Sequence, residues 1–305
     1  MAVVAILVIS STAVALIYLN RGSANRETEG SISIVDDRGK TVNFTEAPDR
    51  VVSMGSSFTD ILISLGGKDK IVGVDYSSAS VSGINSNTTN LGQVLKLNLE
   101  SLLALDPDVV IMWNFGSYGP TISNIENMNI SVLAFYPKNV TTAMNTMTQL
   151  GKLIGKDATS LVSSLQIRMD AVTAKTKNLT YAERTTIYVE LASYGGATVT
   201  NGTLSNELIV MAGGVNIFAN GTGNWVADSN WIVDLDPDVI VIESSSLRTN
   251  QDMINMLGPG AAAVKNDAIY RINAGTLTIS PRMVDALEDL AYWLHPDLFP
   301  ELAPN

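Results

Sequence analysis

Residues 105–111 read LDPDVVI and residues 235–241 read LDPDVIV, so one stretch of seven residues returns with five identities. In each copy the proline stops a short preceding helix, and the apolar run after it predicts a strand. An α/β protein can reuse such a turn without any internal duplication. We favour duplication, because both copies lie late in the first half of their part of the chain. We call this repeated stretch the echo, and it predicts two α/β lobes of similar architecture.

Short β-rich runs alternate with helical patterns on both sides of each copy. The predicted strands lie at residues 50–54, 70–74, 108–112 and 130–135, and then at 186–191, 238–243 and 268–272. The predicted helices include 57–65, with Ser57 and Asp60 at capping-box spacing, 204–211, and a last helix opened by Ser280 and Pro281. This alternation predicts a mostly parallel sheet in each lobe, with helices on both faces.

A longer helical stretch lies between the two sets of strands. Residues 140–154 have helical spacing and end at Gly155, and Asp157 can cap a second helix that runs to about residue 177. A helix of about twenty residues is a rod of roughly 30 Å. The expected organisation is a membrane anchor or signal segment with a linker at 1–30, an N-terminal lobe at 31–156, a bridging helix at 157–178, and a C-terminal lobe at 179–305.

The composition excludes several classes of protein. The 305 residues carry a net charge of −11, which argues against nucleic-acid binding because phosphate neutralisation needs clustered Lys and Arg. Cysteine is absent from the sequence, which excludes disulfides, thiolate metal sites and lipid attachment through cysteine. The single histidine, His295, is expected to be an ordinary residue at a helix end. A binder of bare zinc or manganese on this fold would need several histidines.

The N-terminal segment predicts a location outside the cytoplasm. Residues 2–19 are almost wholly apolar, and eighteen helical residues span roughly 27 Å, close to the hydrocarbon thickness of a bilayer. We favour an uncleaved anchor over a signal cleaved near residues 22–24. Seven Asn-x-Ser/Thr sequons follow and are compatible with a glycoprotein exposed outside the cell, namely those at Asn43, Asn87, Asn129, Asn139, Asn178, Asn201 and Asn220.

The order of several short motifs resembles a known family. These motifs are residues 50–53 (RVVS), 59–62 (TDIL), 71–74 (IVGV), 98–108 (NLESLLALDPD), 213–218 (GGVNIF) and 280–282 (SPR). Each motif alone is weak, but together they resemble the solute-binding proteins for iron chelates and cobalamin that serve ABC importers. The resemblance covers roughly residues 32–295.

This resemblance implies a fold and a function. The expected fold is two Rossmann-like lobes with parallel sheets joined by a single long helix, with ligand in the cleft between the lobes. The expected function is capture of a metal chelate, a corrinoid or a ferric siderophore or haem, for delivery to an ABC permease and its ATPase. We expect a monomer with no resident cofactor and no catalytic activity.

The candidate ligand contacts lie where predicted strands end. They are Ser56, Ser57, Tyr76, Trp113, Tyr194, Trp225 and Arg248. Aromatic side chains suit a large planar chelate, and a few polar groups fix its orientation. An aromatic position of the cobalamin-binding pattern is occupied here by Val94, whereas siderophore binders present several arginines to anionic ligands. Corrinoid and siderophore therefore both stay open at this point.

The resemblance also implies docking residues. Glu100 matches the acidic position with which the N-terminal lobe meets the permease, although a first-turn glutamate also suits the helix dipole. The matching position in the C-terminal lobe is Asn230, and Asp228 or Asp234 could take its place.

Two other functions remain open from the sequence. Glu190 and Glu243 end predicted strands and could form the acid–base pair of a hydrolase, although no nucleophile motif accompanies them. A surface sensor could use the same binding lobes without a transporter.

Overall fold

The computed structural model describes residues 31–191, 197–221 and 225–303 of the chain. This part begins with an antiparallel hairpin of β1 (Ile32–Val35) and β2 (Thr41–Phe44), which the sequence pattern did not predict. The buried carboxylate of Asp36 accepts hydrogen bonds from the backbone N–H of Ala134 at 3.0 Å and from the Arg38 guanidinium at 2.7 Å. The bond to Ala134, together with one from Arg38 to the carbonyl oxygen of Val132 at 2.8 Å, attaches the hairpin to the first sheet.

The N-terminal lobe is built on a parallel sheet. Its strands are β3 (Val51–Met54), β4 (Ile71–Val74), β5 (Thr89–Asn90), β6 (Val109–Trp113) and β7 (Ser131–Phe135). They lie in the order β5-β4-β3-β6-β7, and every neighbouring pair is parallel. The central strand β3 is buried along its whole length, including the polar Ser53.

Helices cover both faces of this sheet. They are α1 (Ser56–Ser64), α2 (Leu99–Ala104), α3 (Gly119–Asn127) and α4 (Val140–Leu153). Phe58 of α1 and Met147 of α4 pack in one apolar core, while Leu102 of α2 and Ile125 of α3 pack in another on the opposite face. The prediction of a parallel sheet with helices on both faces is confirmed for this lobe.

The bridging helix α5 (Thr159–Thr176) joins the lobes through a shared core. Its inward residues Leu165, Met169 and Val172 belong to the same apolar cluster as Met147 of the N-terminal lobe and Leu287 of the C-terminal lobe. The guanidinium of Arg168 also binds the carboxylate of Glu288. Because these buried residues form one stripe along α5, the helix packs against both lobes through a single face, and much of its opposite face is exposed.

The C-terminal lobe has a mixed sheet. Its strands are β8 (Thr185–Leu191), β9 (Ala197–Thr198), β10 (Gly214–Asn216), β11 (Trp225–Val226), β12 (Val239–Glu243) and β13 (Ile269–Ile272). Its helices are α6 (Leu204–Met211), α7 (Ser229–Leu235), α8 (Asn250–Leu257), α9 (Ala262–Lys265) and α10 (Met283–Leu294). Strands β8, β10, β12 and β13 are parallel, whereas at one edge β9 pairs antiparallel with β8 and β11 pairs antiparallel with β9, which the pattern did not predict.

The sequence echo has the same structure in both lobes. Asp106 and Asp236 have positive φ values of 44° and 38°, the left-handed turn that links the preceding helix to the strand. Asp108 then accepts a hydrogen bond from the backbone N–H of Arg50 at 2.8 Å, and Asp238 accepts one from Thr186 at 3.0 Å. Each second aspartate thus ties its strand to the start of the neighbouring strand.

Two local predictions were wrong. Ser57 and Asp60 do not form a capping box, because α1 begins one residue earlier, after Gly55, and both side chains instead bind residues of the C-terminal lobe. The last helix begins at Met283 rather than at the Ser280-Pro281 pair, although the Ser280 hydroxyl does accept a hydrogen bond from the Arg282 N–H at 3.1 Å.

Within the described ranges, no helix combines the length and apolarity needed to cross a bilayer. The anchor predicted at residues 2–19 lies outside those ranges.

Candidate functional site

A cavity of about 480 Å³ lies between the two lobes. On the N-terminal side it is lined by Ser56 and Ser77, which follow β3 and β4, and on the C-terminal side by Ala274 and Gly275, which follow β13. The cavity therefore lies at the carboxyl edges of both sheets, where ligands bind in open α/β folds.

The N-terminal wall of the cavity is rich in hydroxyl groups. Ser56, Ser77, Ser80 and Ser82 all line it. The loop that carries the last three is organised by the buried carboxylate of Asp75, which accepts hydrogen bonds from the Ser77 hydroxyl at 2.7 Å and from the backbone N–H of Gly55 at 3.0 Å. Hydroxyl groups both donate and accept hydrogen bonds, so this wall suits polar, uncharged groups.

Aromatic rings gather at the ends of β6 and β7. The rings of Trp113 and Phe115 are stacked with centroids 5.3 Å apart and an interplanar angle of 7°. Tyr136 meets Phe115 edge-on at 5.4 Å, and Phe58 supports Trp113 from the core side at 4.7 Å. Phe115 and Tyr136 are 36% and 39% exposed, so these rings have surface left for another planar molecule.

Gly55 connects the aromatic rings with the hydroxyl-lined cavity. It lies between β3 and α1 with a φ of 134°, and a Cβ atom built on it would lie 2.6 Å from Nε1 of Trp113. Only glycine allows the indole to approach the backbone so closely, and the next residue, Ser56, already lines the cavity. The two parts are therefore neighbours along one strand edge.

Two polar contacts join the lobes beside the cavity. The hydroxyl groups of Ser57 and Thr278 are 2.8 Å apart, and the guanidinium of Arg282 binds the carboxylate of Asp60 at 2.9 Å. Asp60 and Arg282 also line the cavity itself. Both contacts hold α1 against the segment that leads into α10.

The C-terminal lobe contributes a buried carboxylate. Glu190, only 1% exposed at the end of β8, binds the Arg248 guanidinium at 2.9 Å and accepts a hydrogen bond from the Ser246 hydroxyl at 2.8 Å. Burial, with the nearby carboxylate of Glu190, raises the pKa of the Tyr188 phenol. The Arg271 guanidinium donates to the carbonyl oxygen of Arg248 at 2.8 Å, which holds this loop in place.

The predicted ligand contacts do not all lie together in the structure. Ser56 lines the cavity and Trp113 belongs to the aromatic group, whereas Ser57 is buried and engaged with Thr278. Tyr76 is 70% exposed, at the end of β4. Arg248 lies at the sheet edge, but its charge is already matched by Glu190.

The two remaining aromatic candidates stay predictions. Tyr194 lies outside the described residues, and the backbone of Trp225 pairs with Thr198 in the edge ladder. Val94 is buried in the core of the N-terminal lobe.

The predicted docking residues lie on exposed helix starts. Glu100 is exposed in the first turn of α2, and Asp228 caps α7 by accepting a hydrogen bond from the Asn230 N–H at 2.8 Å. Asn230 and Asp234 are also exposed. Helices α2 and α7 precede the two copies of the echo, so these residues occupy comparable places in the two lobes.

Several residues of the site were not predicted from the sequence. Phe115 and Tyr136 follow strands at the same edge as Trp113, so the strand-end rule that selected Trp113 could have found them. The partners Asp60 and Arg282 lie 222 residues apart, and no local pattern signals their contact. Among the described residues, no group of three or more His, Asp or Glu side chains is placed to hold a metal ion.

Glu190 and Glu243, the acid–base pair of the hydrolase interpretation, both have other partners. Glu190 is engaged by Arg248 and Ser246, and Glu243 accepts a hydrogen bond from the Gly275 N–H at 2.9 Å. Both carboxylates thus contribute to the local structure.

Comparison with known proteins gives a consistent picture. A Bacillus subtilis protein described as the uncharacterized ABC transporter substrate-binding lipoprotein YvrC is 26% identical over 284 residues, covering 88% of this chain and 87% of its own. The cobalamin-binding protein of Halobacterium salinarum strain R1 is 26% identical over 286 residues, covering 89% and 76%. The crystal structure of Helicobacter pylori CeuE in a Ni–His complex superposes with a TM-score of 0.76 at 18% identity, covering 89% and 90%.

The fold, the cleft at the carboxyl edges of both sheets and these similarities agree with one assignment. The sequence model of the family described as periplasmic binding protein matches residues 51–275, which is more than half of the chain. The chain is therefore a member of the periplasmic binding protein family.

Proposed function

We propose that this protein is the solute-binding component of an ABC importer, and that it captures a metal chelate in the cleft between its lobes. The chelate class is a corrinoid, or else a ferric siderophore or haem. The observation that carries this proposal is the stacked pair of Trp113 and Phe115, with Tyr136 edge-on beside it, next to a cavity at the sheet edges.

Ring stacking explains why such a site suits a chelate. A large planar ligand gains dispersion and hydrophobic contact against an aromatic face, while hydroxyl groups nearby fix its orientation. The cobalamin-binding relative from Halobacterium salinarum supports a ligand of this kind, and the substrate-binding lipoprotein from Bacillus subtilis supports a role with an ABC transporter. In this proposal the chelate is cargo, and the protein has no resident cofactor.

The proposal includes partners and a location. The ligand-loaded protein delivers its cargo to a permease and its ATPase, and it docks through Glu100 on the N-terminal lobe and Asp228 on the C-terminal lobe. The apolar segment at residues 2–19 anchors a monomer on the outer side of the membrane.

A thermal-shift panel tests the ligand class. The full chain in lipid nanodiscs is heated with corrinoids, haem and ferric siderophores, with empty nanodiscs as the blank. A ligand present at about one hundred times its dissociation constant adds about 2.7 kcal/mol to the free energy of unfolding. A panel in which no chelate shifts the transition would refute the proposed function.

An aromatic variant connects the binding to the site. Phe115→Ala removes the outer ring of the stacked pair, and we expect about tenfold weaker chelate binding. Trp293→Phe is the matched control, because Trp293 stacks on Tyr270 at 4.7 Å, away from the residues that line the cleft. Equal affinities for both variants would remove the aromatic group from the binding site.

A further inference from the structure

The positive groups at the cleft already have carboxylate partners within the protein. The guanidinium of Arg282, which lines the cavity, binds Asp60 at 2.9 Å. The guanidinium of Arg248 binds the buried Glu190, also at 2.9 Å. In both pairs a protein carboxylate occupies the position that an anionic ligand would otherwise take.

The positive end of helix α1 is compensated in the same way. The helix begins at the cavity after Gly55, with no side-chain cap, and would normally attract a negative group. The carboxylate of Asp75 already lies there, since it accepts a hydrogen bond from the Gly55 N–H at 3.0 Å. An anionic ligand at this helix end would meet Asp75 and be repelled.

Two further cations lie near the same sheet edges. Arg271 donates to the backbone carbonyl oxygens of Ser244, Ser246 and Arg248, so its hydrogen-bonding groups hold the loop. Lys138 is exposed and lies over the ring of Tyr136, 5.7 Å from its centroid. Arg271 thus has neutral partners and Lys138 lies at the solvent rim, and neither residue is among those that line the cavity.

We propose that the cleft selects metal chelates whose periphery carries uncharged amide or hydroxyl groups, and that it discriminates against chelates that carry carboxylates. The inference rests on the proposed function and narrows its ligand class. The serines of the cavity wall supply donors and acceptors for such neutral groups, although Ser77 can only accept because its hydroxyl donates to Asp75. A carboxylate would enter a site in which Asp60, Asp75 and Glu190 already match the nearby positive charges, on a chain of net charge −11.

Matched pairs of ligands test the selectivity. Dissociation constants are measured by tryptophan fluorescence on the full chain in nanodiscs, for a corrinoid with all side chains as amides and for its hydrolysed analogue with carboxylates. A neutral ferric trihydroxamate and the anionic ferric tris-catecholate form a second pair. We expect at least tenfold tighter binding of the neutral member in the pair that binds.

The outcomes separate this inference from the proposed function. Equal affinities within a pair, or tighter binding of the anionic member, would overturn the selectivity but leave chelate capture intact. Absence of binding by every chelate would overturn the proposed function and the selectivity with it.

Variants then assign the effect to particular residues. Asp60→Asn leaves Arg282 without its carboxylate, and we expect the affinity for the carboxylate corrinoid to rise about tenfold while that for the amide corrinoid changes less than twofold. Asp285→Asn is the matched control, because it removes a carboxylate from Arg168 on the bridging helix. An anionic chelate that binds the wild type well but not Lys138→Met would show that Lys138 at the solvent rim sets the charge preference. The carboxylate-paired arginines of the cleft would then not set it, and the inference would be wrong.

Discussion

The carboxylate of Glu207 in α6 accepts a hydrogen bond of 2.5 Å from the backbone N–H of Val140, the first residue of α4. A side chain of the C-terminal lobe therefore satisfies a free donor at the positive end of a helix of the N-terminal lobe. Asn139 caps the same helix by accepting a hydrogen bond from the Thr142 N–H. Glu207 therefore binds the Val140 N–H, a donor that this local cap does not satisfy.

Loss of this contact should destabilise the whole protein. Glu207→Leu leaves the Val140 N–H without its acceptor, and we expect the free energy of unfolding to fall by about 1–3 kcal/mol in urea titrations. Glu183→Leu is the control, because Glu183 caps only its own turn through Thr180. A loss for Glu207→Leu no larger than for the control would show that the contact between the lobes contributes little.

Replacement of Gly55 by alanine should lower both the stability of the protein and its affinity for ligand. Gly55→Ala places a Cβ atom 2.6 Å from Nε1 of the Trp113 indole and forces alanine into a φ of 134°. We expect a loss of about 1–3 kcal/mol in stability, together with weaker chelate binding. Gly116→Ala, where the added Cβ meets no atom within 4 Å, should be near neutral. Wild-type stability in Gly55→Ala would contradict the close approach of the indole.

The contact between the hairpin and α3 should be sensitive to acid. Burial alone would raise the pKa of Glu126, but hydrogen bonds from Lys40 and Arg38 outweigh it and hold this pKa below its ordinary value. A carboxylate with a lowered folded pKa contributes stability above its unfolded pKa, and this contribution is lost as the pH falls through the folded pKa.

Glu126→Gln measures that contribution directly. At pH 7 we expect the variant to be less stable than the wild type by about 1 kcal/mol, because solvent screens the ion pairs of a partly exposed group. The difference should shrink as the pH falls below about 4.3, the ordinary glutamate value. Glu46→Gln, at an exposed position outside this cluster, controls for the loss of one negative charge. A difference that grows on acidification would reverse the assigned sign.

Charge reversal at the docking residue should separate uptake from binding. Glu100→Lys changes an exposed side chain in the first turn of α2 that is not among the residues lining the cavity, so we expect ligand affinity to change less than twofold and uptake to fall at least tenfold. Glu46→Lys is the matched control on the same lobe. Unchanged uptake in Glu100→Lys would remove this residue from docking.

Asp228 needs a different substitution because it also caps α7. Asp228→Ser keeps a capping oxygen and removes the charge, so stability should change by less than about 0.5 kcal/mol. Lower uptake with unchanged ligand affinity would support docking through this residue, while uptake equal to that of the wild type would favour other residues of the C-terminal lobe.

The elements that the sequence predicts best are those whose partners lie nearby in the pattern. The buried runs of β3 and β6 and the apolar spacing of α4 follow from local sequence, and their bounds differ from the predicted ones by a residue or two. The hairpin of β1 and β2 was not predicted, because Asp36 and Arg38 hold it by contacts to Ala134 and Val132, nearly one hundred residues away.

Prediction of the site residues was limited in the same way, because contacts between distant segments leave no local pattern. Trp113 could be selected because aromatic residues at the ends of parallel strands tend to face ligands, and the rule applies equally to Tyr136. Ser57 and Asp60 have the spacing of a local cap, yet both side chains reach the other lobe. Arg248 could be placed at the sheet edge, but its pairing with Glu190 depends on the packing of two distant segments.

The continuous core through α5 limits how this protein can be divided. Leu165 and Met169 pack in one apolar core with residues of both lobes. A chain cut on either side of the helix would therefore expose a large apolar surface on each fragment. Neither half produced on its own should remain in solution, whereas the two halves made together should reassemble around the shared helix. Proteases that attack the intact protein should likewise spare α5 until the entire molecule unfolds.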